Sequence, residues 1–192
     1  MNANEVGQCL NKLKASGKVG AFGVSNMSSA QMGLLQSRLD TPLVVNQLEM
    51  SLSKRDWLEQ GVMHNVSNGS PDRHSQFNSM PLGTIEYCQQ HDVRLQAWGC
   101  LSQGLFTGRD VGNQNESVKR TAELVERLSA DYHVSREAIV IAWLLKHPIN
   151  MMPVIGTTNL ARIKACSEAV NVSLSREHWY QLYVTARGEE LP

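Results

Sequence analysis

The chain has 192 residues, and its 18 Lys and Arg balance its 18 Asp and Glu, with 42% hydrophobic and 19% charged residues. That profile suits a globular protein of one domain, or a piece of a larger one. It argues against a nucleic-acid footprint or a polybasic membrane patch. No apolar run reaches the roughly 18 residues of a membrane span.

The polar opening, Met1 to Glu5, lacks the apolar stretch of a signal peptide. From Asn4 to Ser16, the spacing of Val6, Cys9, Leu10 and Leu13 predicts a helix. Gly17 is suited to ending it. Val19 to Asn26 reads as a short buried strand. Ser28 with Gln31 matches a capping box, so a second helix starts there and runs through Met32, Leu34 and Leu35. Leu43 to Leu48 is a second apolar strand. Residues 63–79 are polar and rich in Asn and Ser, which predicts a loop. A helix is expected from Gly83 to His91 with Cys88 inward, then a third strand from Val93 to Trp98. Residues 99–115 hold four glycines and no clear period, and read as a second long loop. Glu116 to Tyr132 is amphipathic through Val118, Ala122, Val125 and Leu128. Ser135 caps a helix that reaches Lys146. Met151 to Ile155 is a fourth strand, and helices over Asn159–Ala169 and Arg176–Ala186 close the chain. Cys9, Cys88, Cys100 and Cys166 form no CxxC pair. They read as the reduced thiols of a cytoplasmic protein, not as a disulfide frame or a zinc site.

Continuous apolar strands alternating with helices predict an α/β fold with a parallel sheet. In such folds, functional groups gather at the carboxyl ends of the strands. Those ends carry distinct chemistries here. Ser25, Asn26 and Gln47 offer hydroxyl and amide groups that suit a carboxamide. Trp98, just before Gly99, offers a flat aromatic face. Gly156-Thr157-Thr158 is expected to open a helix N-terminus that favours an anion, and Arg162, one turn on, suits a phosphate. Together these describe a nicotinamide nucleotide. Each has a plainer reading as well. Asn26 can simply end a strand, Gln47 can satisfy buried backbone, Trp98 can be core, a threonine can be an N-cap, and Arg162 can be solvated surface.

The motifs resemble those of the aldo-keto reductases, most closely the bacterial oxidoreductase branch. Gly17-Lys18-Val19 followed by Phe22-Gly23-Val24-Ser25-Asn26 is similar to that family's GVSN signature. Asn46-Gln47-Leu48-Glu49 resembles its NQxE strand. Trp98-Gly99-Cys100-Leu101-Ser102-Gln103-Gly104 resembles its YSPLxxG segment. Pro153-Val154-Ile155-Gly156-Thr157, with Arg162, resembles the strand and helix near the family's carboxyl end. All four follow the family order.

The resemblance implies a (β/α)8 barrel that transfers hydride between NADP(H) and a small carbonyl or alcohol. It implies that Ser25, Asn26 and Gln47 bind the nicotinamide carboxamide and that Trp98 stacks on the ring. Leu101 and the loop after it would lie along the pyrophosphate, and Thr157 and Arg162 would hold the 2′-phosphate. Trp98 replaces the usual Tyr, Gly99 replaces a serine, and Ala165 and Cys166 replace a Glu-Asn pair near the adenine.

A full barrel needs about 250 residues, and only four strands fit here, starting near residues 19, 43, 93 and 151. They resemble the family's fifth to eighth. The expected architecture is therefore a partial TIM barrel of about four parallel β/α units, with residues 1–192 one incomplete domain equivalent to the carboxyl-terminal half. The family's catalytic Asp, Tyr, Lys and His sit on the first four strands, and their motifs do not occur in this chain. Tyr87, Tyr132, Tyr180 and Tyr183 lie in helix patterns, and none of the histidines ends a strand. The expected chain thus has the cofactor half-site without a proton donor or a metal site. Its partners would be a small carbonyl substrate in the intact enzyme and a missing amino-terminal half, or another copy of itself, but neither nucleic acid nor membrane. A non-catalytic half barrel that binds a nucleotide or a partner is the alternative. Val24, Val45, Ala97 and Val154 are expected to contribute to or flank an apolar face left open by the missing half.

Overall fold

The computed structural model describes residues 1–62 and 80–191. The loop expected over 63–79 lies outside the described residues. In chain order the elements are α1 (Ala3–Ala15), β1 (Phe22–Ser25), α2 (Ser29–Gln36), β2 (Leu43–Glu49), α3 (Asp56–Val62), α4 (Thr84–Gln90) and β3 (Arg94–Trp98). There follow α5 (Glu116–Asp131), α6 (Arg136–Leu145), β4 (Met152–Pro153), α7 (Leu160–Ser167) and α8 (Arg176–Arg187). The strands hydrogen-bond in the order β1-β2-β3-β4, and β1 runs parallel to β2 with Ser25 opposite Gln47. The alternation of strands and helices is the one expected. Among the described residues, no helix is long and apolar enough to cross a membrane.

The described residues divide into two compact units, 1–48 with 80–96 and 49–62 with 97–191. In the first, α1 packs on α2, and α2 packs on α4. Its core is Met32, Leu35, Leu43, Cys88, Val93 and Leu95, all buried. The Ser28 capping box forms as expected, with Ser28 Oγ accepting from the Gln31 N–H and Gln31 Oε1 accepting from the Ser28 N–H. Helix α1 buries only Ala3 and Gly7. A Cβ at Gly7 would stand 2.6 Å from the Arg38 Cβ, so only glycine permits this approach.

In the second unit, α5 packs on α6 and α8, and α6 packs on α7. Every residue of α6 from Ala138 to Leu144 is buried, as befits a helix apolar on all sides. Trp143 and Trp179 stack with ring centroids 5.4 Å apart, and each indole N–H donates to the other's backbone carbonyl at 3.2 and 2.9 Å. Helix α3 was not expected. It turns Asp56, Trp57 and Glu59 inward, and Glu59 pairs with Arg187 of α8 at 3.1 Å, with both side chains at 2% exposure or less.

Several boundaries differ from expectation. The first strand is only Phe22–Ser25, because Gly20 and its neighbours precede the ladder. The fourth is only Met152–Pro153, since proline has no N–H to extend the pairing, although the Val154 N–H still donates to the Ala97 carbonyl at 2.9 Å. The last turn of the helix expected up to Ala169 tightens into a 3-10 turn over Glu168–Asn171.

The sheet face that bears Gln47 is mixed in character. Side chains alternate along a strand. In the first unit Gln47 and Gln96 share a face and bond to each other at 2.9 Å. In the second unit Ala97 is fully buried on the covered side of β3. The residues on the less covered side of β3 are Arg94, Gln96 and Trp98. Val45, half-buried, shares the Gln47 side of β2, so this face mixes apolar, polar and aromatic side chains.

Candidate functional site

The site residues expected from the sequence fall in both units. In the first, β1 ends where Asn26 takes a left-handed φ of 54°, a conformation that asparagine tolerates better than most residues. The Gln47 carbonyl accepts from the Asn26 N–H at 2.9 Å and from Ser25 Oγ at 3.1 Å. The structure therefore brings Ser25, Asn26 and Gln47 together at adjoining strand ends. On the opposite face of β2, Asn46 is fully buried, donating to the Met27 carbonyl at 2.8 Å and accepting from the Met27 N–H at 3.4 Å. It fixes the turn that leads into α2.

The Gln47 side chain is oriented by a residue that sequence reasoning passed over. Gln47 Nε2 donates to Gln96 Oε1 at 2.9 Å. Gln96 sits two residues before the tryptophan singled out in the sequence. Period-2 spacing puts the two on one face of β3, and that was the available signal.

In the second unit, Trp98 is half-buried at the end of β3, and its carbonyl accepts from the Met50 N–H at 3.2 Å. Gly99 has a φ of 65°, where any side chain would be strained, so the missing serine is a backbone requirement. The segment expected to be irregular contains a 3-10 turn over Ser102–Gly104. Ser102, Gln103 and Gly104 have φ of 50°, 55° and 83°, three left-handed residues in succession. Such non-glycine conformations cost about 1–3 kcal/mol each and cluster where backbone is held for a purpose. The turn is braced by Ser53, whose Oγ donates to Ser102 Oγ at 2.8 Å, and Ser53 in turn bonds Ser51 at 3.1 Å. Leu101 is buried, so it can meet a ligand only through its backbone.

Arg162 reaches this turn. A Cβ placed on Gly104 would lie 3.8 Å from Arg162 Nη2. Arg162 Nε also stands 3.9 Å from Glu137 Oε1, with 45% of the arginine side chain exposed. Gly156 and Thr157 do not open the helix as expected. The N-cap of α7 is Asn159, whose Oδ1 accepts from the Arg162 N–H at 3.2 Å, and Thr157 Oγ1 accepts from the Asn159 N–H at 3.2 Å. Asparagine is among the strongest capping residues, and it takes the cap from the threonines before it.

Cys100 lies beside this region without the character of a nucleophile. Its Sγ donates to the Val154 carbonyl at 3.4 Å. Burial first, and then neighbouring Cys166, pushes the thiol up to about 11. The thiolate form is therefore scarce at neutral pH.

The Aldo/keto reductase family model matches residues 2–183. A 6-dehydroglucose reductase of Agrobacterium fabrum is 35% identical over 192 residues, all of this chain and 54% of that protein. Oxidoreductase YdhF of Escherichia coli is 33% identical over all of the chain and 55% of its own length. The crystal structure of a thermostable aldo-keto reductase, Tm1743, in complex with the inhibitor epalrestat, superposes with a TM-score of 0.70 at 20% identity. It covers 96% of this chain and 55% of that one, which establishes the likeness of fold. The chain thus spans about half the length of the curated relatives it matches. With a family model covering nearly every residue and four parallel strands in sequence order, the chain belongs to the aldo/keto reductase family.

Proposed function

We propose that residues 1–192 are the carboxyl-terminal half of an NADP(H)-dependent aldo-keto reductase barrel, one incomplete domain of a cytoplasmic oxidoreductase. The intact enzyme would interconvert a small carbonyl compound and its alcohol. The reading is supported by the order of the four motifs and by the pairing of Ser25 and Asn26 with Gln47. The observation that carries it is the approach of Arg162 to the left-handed turn at Gly104, a cation set beside strained backbone. That arrangement suits an anionic ligand such as the phosphates of a dinucleotide.

Within each unit, the residues present suit one part of such a cofactor. Gln47 Oε1 has no hydrogen-bond partner among the described residues, and it suits the N–H of a carboxamide. With Ser25 and Asn26, Gln47 would hold that carboxamide, and Trp98 would lie against the ring. Leu101, Gly99 and Gly156 would contribute backbone, while Thr157 and Arg162 would hold the 2′-phosphate. When bound, NADPH supplies the hydride. In this reading the chain itself supplies no proton donor. The loss of general acid assistance costs on the order of 10²–10⁴-fold in rate.

Reconstitution tests the proposal. The chain is assayed alone and joined to whatever coding sequence precedes Met1, with NADPH and small aldehydes. The expected result is turnover by the joined protein and none by the chain alone. Activity of the chain alone that tracks it through purification would overturn the assignment of halves. A joined protein that binds no NADPH would overturn the cofactor.

A further inference from the structure

We propose that the second unit holds a binding pocket for a small, flat aromatic anion, built from α3, the end of α6 and one face of α8. The cavity there measures about 370 Å³. That falls within the roughly 300–1,000 Å³ of small-molecule sites. It shares no residue with the strand-end set of Trp98, Gly99, Leu101, Gly156, Thr157 and Arg162.

The pocket follows from the sequence of α8. Arg176, Trp179, Tyr180 and Tyr183 recur at i, i+3, i+4 and i+7, which is one face of a helix. All four line the cavity, so a single element delivers three rings and a cation to it. The face is fixed before any ligand arrives. Trp179 stacks on Trp143 and donates its indole N–H to the Trp143 carbonyl at 2.9 Å. The Arg176 guanidinium carbon lies 5.7 Å from the centre of the Tyr180 ring. Leu58 and Val62 of α3 add apolar wall. Lys146, the C-cap of α6, supplies a second cation. Among the described residues neither Lys146 nor Arg176 forms an ion pair, and no Asp or Glu lines the cavity. His147 lines it too, but burial lowers its pKa from 6.5, so near pH 7 it adds a ring and no charge. A ring system laid on this floor brings a carboxylate or sulfonate to the two cations. A ring bearing an ammonium meets repulsion there, and an aliphatic chain forgoes the stacking.

Calorimetric titration tests the pocket, using the chain joined to its upstream half where one is encoded. The probes are naphthoate, its neutral amide naphthamide, the cation naphthylmethylammonium, and octanoate. One naphthoate is expected per chain, with every other probe weaker. Lys146→Gln and Arg176→Gln should each weaken naphthoate about 2–5-fold, the worth of an exposed charge pair, and leave the amide unchanged. Both side chains are exposed, so neither change threatens the core. The double variant should bind naphthoate and its amide alike. Leu58→Trp fills the cavity and should abolish binding of both, and the two cation variants decide if it does not fold. Naphthoate bound no tighter than its amide, or octanoate bound as tightly as naphthoate, would overturn the ligand class. Naphthoate displaced by excess NADPH, or held undiminished by the double cation variant, would overturn the pocket and leave the cofactor reading standing. No binding of naphthoate would also overturn it.

Discussion

Arg162 sits between two partners of opposite meaning, Glu137 at 3.9 Å and the turn at Gly104. If its guanidinium serves a phosphate found only in NADPH, then Arg162→Ala should weaken NADPH roughly 10–150-fold, the worth of a charge-assisted hydrogen bond. NADH should change little. Parallel titrations check this, and equal losses would refute the assignment. Glu137→Gln, by freeing the arginine, should tighten NADPH modestly. At the same scale, His147 gives a pH signature. Burial lowers its pKa from 6.5, and its ring lies 5.0 Å from Trp57. The unfolded chain therefore binds a proton at a higher pH than the folded one. The stability gained by keeping this ring neutral is complete above pH 6.5 and drains away as pH falls toward the depressed value. Melting temperatures of His147→Asn against wild type, between about pH 7 and 5, should show a shallower acid decline in the variant. The residues at strand ends were legible because position and chemistry coincide there, as with Ser25 and Gln47. Their partners Gln96, Glu137 and Ser53 were not, because each is brought in by folding from 25 to 50 residues away, and no local pattern marks it.

Among the elements, α3 shows why a helix can escape a reading of hydrophobic period. It spans seven residues and turns a carboxylate, Glu59, to the inside. A search for apolar stripes scores such a segment as surface. What makes the burial tolerable is Arg187 at 3.1 Å, with Arg55 Nε at 3.9 Å from the other oxygen. Burial lowers the Arg55 pKa, and it raises that of the nearby Tyr183 hydroxyl, with Glu59's charge adding to the rise. Removing one partner of a buried pair leaves the other charge uncompensated, at a cost of about 3–5 kcal/mol. Glu59→Ala should therefore lower stability by that order in denaturant titration. A double change, Glu59→Leu with Arg187→Met, should recover much of the loss. A double variant no better than the single would show that the pair is not the source. Elsewhere the caps were read correctly when the capping residue was followed at once by apolar period, as at Ser28 and Ser135. The start of α7 at Asn159 was legible too, but its capping residue was not, because Thr157, Thr158 and Asn159 are all competent caps and only the fold decides among them.

For the molecule as a whole, the order of strands and helices was legible because buried parallel strands are continuous apolar runs, which stand out from the sequence. The polar part of the face bearing Gln47 was not, since which side of a strand is covered is set by the fold and not by the apolar run. That outcome alters the expectation for association. Among the described residues, β1 and β4 stand at the ends of the strand order. Free edges recruit other strands. We expect the purified chain to self-associate through the strands at the ends of this order. Light scattering across a dilution series checks this. A monodisperse monomer would contradict it.

Helix α1 is held to its unit by a narrow attachment, Gly7 against Arg38 and the Asn11 amide, which donates to the Arg38 carbonyl and accepts from the Asp40 N–H at 3.1 Å each. Little apolar area secures it, since only Ala3 and Gly7 are buried along its thirteen residues. Opening free energies follow the area and bonds that must be given up. The amides of α1 should therefore exchange with deuterium long before those of α6, through a local detachment that leaves the rest of the chain protected. In Gly7→Ala that detachment becomes the resting state, visible as full early labelling of residues 3–15 with the α6 amides unchanged.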